Sequence, residues 1–117
     1  TAADIIIAKN SGNGFARLEN SDEIMKNINS DELEYAASIS SDDLEIYFTR
    51  VAVPIDENSK PGIYYASRKK ISEPFSQPIL LQGLGDFVEA PSISSNGKLL
   101  YYHGIQNGKY RLFLVKH

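Results

Sequence analysis

The feature of this chain that most restricts its fold is that it repeats itself. The segment ISSDDLEIYFTR, Ile39 to Arg50, aligns without a gap on ISSNGKLLYYHG, Ile93 to Gly104, a spacing of 54 residues (93 − 39). Three further runs, DIIIAK from Asp4, GIYYASR from Gly62 and YRLFLVK from Tyr110, share aliphatic and aromatic residues ending in a base. A fourth element pairs GFARLE around Phe15 with PFSQPILL around Phe75. A period of this length marks a supersecondary unit that buries its apolar face only by stacking on its neighbours.

The repeated elements read as strands. Alternation in Leu44 to Thr49 sets Leu44, Ile46 and Phe48 against Glu45, Tyr47 and Thr49, the two-residue period of a pleated strand. The second copy is apolar on both faces, with Leu100 and Tyr102 opposing Leu99, Tyr101 and His103, the pattern of a strand sandwiched between sheets. Antiparallel strands are therefore expected near residues 4–9, 44–50, 62–68, 98–103 and 110–116. Asp42-Asp43 and Asn96-Gly97 hold the same repeat position and predict tight turns, Asn-Gly being a strong two-residue hairpin signal. A second hairpin is expected at Asn107-Gly108, and the polar segment from Ala52 to Pro61 reads as an exposed loop. The run from Asn20 to Ala37 resists this scheme. It carries capping patterns and a short Ile24, Ile28 spacing, so it reads as a lengthened linker holding at most a helical turn.

Composition narrows the function classes. Twelve basic residues against 15 acidic give a net charge of −3, which does not attract a polyanion, so no nucleic-acid partner is expected. No apolar run reaches the roughly 20 residues that cross a bilayer, so no membrane insertion is expected. The start Thr1-Ala2-Ala3-Asp4 lacks the parts of a signal peptide, and a first residue other than methionine fits a mature or trimmed form. The absence of cysteine removes disulfides, thiolate metal sites and a cysteine nucleophile.

The run Ala90-Pro91-Ser92-Ile93-Ser94-Ser95-Asn96-Gly97-Lys98-Leu99-Leu100-Tyr101-Tyr102 resembles the repeat core of TolB-like β-propellers: proline, a small residue, an aliphatic, serine, a variable residue, aspartate, glycine, lysine, then an apolar strand. The copy from Ala37 to Phe48 matches less fully, without the proline and the turn glycine, and asparagine stands at 96 where aspartate is usual. The third-strand pattern is echoed at Asp4 to Lys9 and Gly62 to Arg68, and the following Phe-x-x-Pro element at Phe75 to Pro78. The resemblance implies an all-β fold of antiparallel four-stranded blades around a channel. One partial propeller unit would then span 1–117, with outer strands of one blade in 1–18, a complete blade in 35–80 and the inner three strands of the next in 88–117. That makes about nine strands, too few for a closed ring of about four to eight blades. Either the chain is a fragment, or several copies assemble, or its ends are closed in a way the sequence does not reveal. Self-association through exposed blade edges follows from the second option.

No catalytic constellation emerges. His103 ends a strand and His117 is the last residue, so no metal spacing exists, and no metal or cofactor is expected. The acids in Asp22-Glu23, Asp31-Glu32-Glu34 and Asp42-Asp43-Glu45 read as turns and caps, not as a calcium loop or a glycosidase pair. Gly83-x-Gly85 and Ser11-Gly12-Asn13-Gly14 read as turns, since neither opens a helix after a strand. The basic run Arg68-Lys69-Lys70 and the tyrosines Tyr64 and Tyr65 read as a strand end and inter-blade packing. If a ligand binds, Arg50, Tyr102 and His103 are its first candidates, standing near corresponding strand ends. The expected function is a non-catalytic scaffold that binds protein or cell-envelope material. The resemblance implies a periplasmic or extracellular location and a protein partner. The alternative is a piece of the propeller of a larger hydrolase, a prolyl-oligopeptidase-like peptidase or a five-bladed glycosidase.

Overall fold

Strands form where β-branched and aromatic residues concentrate, and turns where asparagine, aspartate and glycine interrupt them. The structure, a computed structural model, describes residues 3–116. Among them the order is β1 (Ala8–Asn10), β2 (Phe15–Arg17), α1 (Ser21–Ile24), β3 (Leu33–Ile39), β4 (Glu45–Val51), β5 (Gly62–Ser67), β6 (Ile79–Leu80), β7 (Val88–Ile93), β8 (Leu99–Gln106) and β9 (Lys109–Lys116). The fold is all-β, and neighbouring strands pair antiparallel in sheets of two (β1-β2), four (β3-β4-β5-β6) and three (β7-β8-β9) strands.

The sequence repeat is a repeat of hydrogen bonds. The Ser40 hydroxyl donates to the Asp42 carboxylate at 2.7 Å and accepts from the Glu45 amide, while Asp42 accepts from the Leu44 amide. In the later copy Ser94, Asn96, Lys98 and Leu99 make the same three bonds, the hydroxyl again at 2.7 Å from the side-chain oxygen. Pairing resumes between the Ser40 amide and the Glu45 carbonyl, so this loop spans four residues and not the two that Asn-Gly suggested. Its left-handed position is taken by Asp43 (φ 63°) and Gly97 (φ 73°). Aspartate tolerates that conformation, which explains why the loop survives without a glycine at 43. Upstream, β3 and β7 carry a bulge at matching places, with Ala36 (φ 51°) and Ala90 (φ 55°) both left-handed. The Asn107-Gly108 hairpin is a two-residue turn, with φ of 52° and 78° between the paired Gln106 and Lys109.

Packing places the four-stranded sheet in the middle. On one side its Ile46, Phe48, Ala66 and Tyr64 meet Ile24, Met25, Ile28 and Phe75, with Ile5 and Ile7 against them. On the other side β7 lies against β3, β4 and β5, and Ile63 packs with Val88 and Tyr102. The two cores echo each other. Phe48 stacks on Tyr64 at 5.8 Å, and their counterparts Tyr102 and Phe113 stack at 5.5 Å.

Three expectations need correction. The strand sandwiched on both faces is β4, where Ile46, Tyr47, Phe48 and Thr49 are all buried, whereas β8 is covered on one face only. The reason is position, because β4 has a layer on each side and β8 belongs to the last sheet. The strand expected at 4–9 is regular only over Ala8–Asn10. Residues 5–7 join no regular strand, and their backbone is held instead by the Asn29 and Ser21 side chains and by the Leu18 amide on the Ile7 carbonyl. Finally, the segment from Asn20 is no mere linker, since Ile24, Met25 and Ile28 are fully buried core. Its polar residues, which break the helical pattern, tie down neighbours: Asn29 bonds both the amide and the carbonyl of Ile5 at 2.8 Å, and Asn27 donates to the Phe75 carbonyl.

The aligned phenylalanines now differ in environment. Phe75 is 0% exposed, its amide bonded to the Ile24 carbonyl, while Phe15 is 78% exposed. Phe75→Ala is therefore expected to cost about 3–5 kcal/mol, and Phe15→Ala about 0.5 kcal/mol or less. Urea unfolding of the two variants, followed by far-ultraviolet circular dichroism, measures the difference.

Candidate functional site

The three sequence candidates for ligand contact are dispersed, and two of them are structural. Arg50 donates from Nε to Glu34 at 2.8 Å and from its terminal nitrogen to the Ile28 carbonyl at 2.7 Å. Its guanidinium also lies 4.9 Å from the Tyr64 ring centre and 5.5 Å from that of Phe48. Glu34 is wholly buried and is further held by the amide and hydroxyl of Ser30. The carboxylate is thus compensated on every side, and Arg50 closes the end of the first core. Tyr102 is 4% exposed and belongs to the second core, its hydroxyl directed at the Leu84 carbonyl. Only His103 faces solvent, on the outer side of the three-stranded sheet. The structure does not bring the three together. His117 lies outside the described residues.

The acid clusters are likewise engaged locally. Asp22 pairs with Arg17, Glu23 with Lys26 at 2.9 Å, and Asp42 with its turn. The Ser40 hydroxyl, then the Leu44 amide, hold the exposed Asp42 carboxyl below its usual value of 3.8. Arg68, in the basic run, sits 4.3 Å from the Phe75 ring centre and donates to the carbonyls of Asp43 and Ile71. A polar cleft of about 250 Å³ opens between the two equivalent turns, lined by Ser40, Ser41, Asp42, Glu45, Ser95, Asn96 and Gly97. Its acids are already bonded to the chain. Among the described residues no three His, Asp or Glu side chains gather in a metal-binding arrangement, and no helix is long and apolar enough to cross a membrane.

What the structure does assemble is a seam between sheets and an open copy of it. Across the seam the Ala90 amide donates to the Thr49 hydroxyl at 2.9 Å, the Ile93 amide donates to Ser38 at 3.1 Å, and the Tyr35 hydroxyl donates to Glu89 at 2.7 Å. Burial, reinforced by Glu89, pushes the Tyr35 phenol well above its ordinary range, so it stays a donor at any physiological pH. One repeat later Ser92 stands at the place of Ser38 and His103 at that of Thr49, both exposed. The apolar partners follow suit. Tyr47, Thr49, Val51 and Ile63 are buried in the seam, whereas Tyr101, Ile105, Leu112 and Leu114 on the outer face of β8 and β9 are exposed. Cross-strand pairing sets Tyr101 beside Leu114, His103 beside Leu112 and Ile105 beside Tyr110, all on that face. Tyr110 meets Phe87 edge-on at 5.9 Å. The sequence held the signal, since YRLFLVK is apolar at both parities. What it lacked was the knowledge of which parity finds a cover.

Comparison of the chain with protein-family models, with curated proteins and with solved structures finds no match.

Two measurements probe these assignments. Arg50→Met leaves the Glu34 carboxylate buried without its cation and is expected to cost about 3–5 kcal/mol, while adding Glu34→Leu recovers part of the loss. Urea denaturation of the single and double variants reads both. Because Asp42 is depressed in the folded chain, its contribution is present above pH 3.8 and fades as pH falls below that value towards the folded pKa. Asp42→Asn keeps the turn acceptor, as Asn96 shows, but removes the titration. The stability gap between wild type and Asp42→Asn should be flat near neutrality and shift against the wild type in acid, as thermal melts across pH will show.

Proposed function

We propose that this chain is a non-catalytic repeat scaffold of β-propeller type that binds protein at the cell envelope. The observation that carries the reading is the recurrence of one strand-turn-strand hydrogen-bond pattern at a fixed offset, with the four-stranded sheet stacked on the three-stranded one. Blades of four strands stacked about an axis use such a unit. The run of two, four and three strands fits the outer pair of one blade, a complete blade and the inner three strands of another. The resemblance to TolB-like repeats supports a periplasmic or extracellular setting and a protein ligand, a second copy of the chain included.

Two features favour a binding role over catalysis. The acids and bases with recognisable geometry, Glu34, Arg50, Asp42 and Arg68, are committed to holding the fold. Open for recognition is an apolar sheet face, that of β8 and β9, beside polar side chains, the composition of a protein-binding surface.

Chromogenic peptidase, esterase and glycosidase substrates are expected to be consumed no faster than in buffer. A turnover that follows the protein through purification and disappears in Asp42→Ala or Asp43→Ala overturns the reading. Periplasmic extract passed over the immobilised chain is expected to leave a protein bound in stoichiometric amount.

A further inference from the structure

We propose that two copies of this chain associate back to back through the outer face of β8 and β9, forming a closed two-fold dimer. The proposal rests on the scaffold reading and deepens it by naming the partner.

The internal repeat indicates what this face is suited to. The positions on the seam side of β4 and β5 recur here on an open face: Tyr47 as Tyr101, Thr49 as His103, Val51 as Ile105, Ile63 as Leu112 and Tyr65 as Leu114. Ile63 is 0% exposed in the seam, and its counterpart Leu112 is 64% exposed. With Tyr110 the patch presents on the order of 500 Å² of apolar side chain, near the upper end for an ordinary monomer. Two such patches face to face bury about 1,000 Å² before any polar rim is counted, which reaches the floor for a specific interface.

Three observations select a second copy in this orientation. Head-to-tail stacking would need the receiving side of the middle sheet, and that side is filled by the chain's own Ile5, Ile7, Ile24, Met25 and Ile28. The inner side of the last sheet is filled by the middle one. Among the described residues the outer face of β8 and β9 is left open, and a surface that pairs with itself closes as a two-fold. Pairing along the edge of β9 is opposed by charge. Lys109, Arg111 and Lys116 lie on that strand with no acid, and a two-fold along the edge sets like charges together. At the centre of the face Tyr101, Leu112 and Leu114 surround His103, whose one charged neighbour, Glu89 across from it on β7, is already bonded to the Tyr35 hydroxyl.

Sedimentation velocity on the full chain, from low to high micromolar concentration, tests this. The wild type is expected to pass from monomer to dimer and stop there. Leu112→Lys should weaken the dimer by about tenfold or more, and Phe15→Lys, at the other end of the molecule, should leave it unchanged. Both sites are exposed, so circular dichroism melts should match the wild type. The chain has no cysteine, which permits a second readout that keeps a native face. Leu112→Cys should cross-link to a dimer with a short bis-maleimide, and Phe15→Cys should not. A monomer throughout, growth beyond the dimer, or association lost in Phe15→Lys but kept in Leu112→Lys overturns the proposal. A monomeric chain that still captures an envelope protein overturns the dimer and leaves the scaffold reading standing. A dimer that turns over a substrate does the reverse.

Discussion

The middle sheet must be covered on both faces, and the rest of the structure is arranged to meet that demand. Tyr47 and Thr49 point one way from β4, Ile46 and Phe48 the other, and all four are removed from water. Each buried aliphatic or aromatic side chain among them contributes about 1.5–3 kcal/mol. One cover is another sheet. The other is improvised from the extended stretch around Ile5 and Ile7, a helical turn and the segment around Phe75. Without both, a β-sheet of four strands with two apolar faces would expose surface that water rejects on either side.

Stacked sheets could slide over each other if apolar contact alone held them, because dispersion and burial have little direction. The hydroxyls of Thr49 and Ser38 supply that direction, Thr49 by accepting the Ala90 amide that the bulge in β7 leaves out of its own ladder and Ser38 by accepting the amide of Ile93 beyond the bulge. The bulge and the seam are thus one device. A left-handed alanine at 90 turns the backbone so that its amide leaves the sheet, and a β-branched hydroxyl on the next sheet receives it. At the far end of the middle sheet the Glu34–Arg50 pair does similar work, fixing β3 against β4 and both against the Ile28 carbonyl.

The repeat was legible because the same residue types recur where the same bonds are made, Ser40 with Ser94 and Asp42 with Asn96. The hairpin at Asn107-Gly108 was legible for the same local reason. Burial was not, since Leu100 and Tyr101 are equally apolar and only the presence of a neighbouring layer separates them. Arg50 looked available because a base at a strand end usually is, and its partner Glu34 lies 16 residues away in an acid-rich run that reads as surface. The helical turn is faint in the sequence because Asn27 and Asn29 interrupt its apolar pattern. Those side chains bond backbone far away in sequence, which no local periodicity reports.

Met25, at the heart of the improvised cover, is the one methionine of the chain and is 0% exposed. Its thioether meets an oxidant only when the helical turn lifts from Phe48 and Phe75. Conversion to the sulfoxide would put a polar, chiral group where the cover must be apolar, so the turn could not settle back as before. Oxidation of this methionine therefore tracks how often the turn opens.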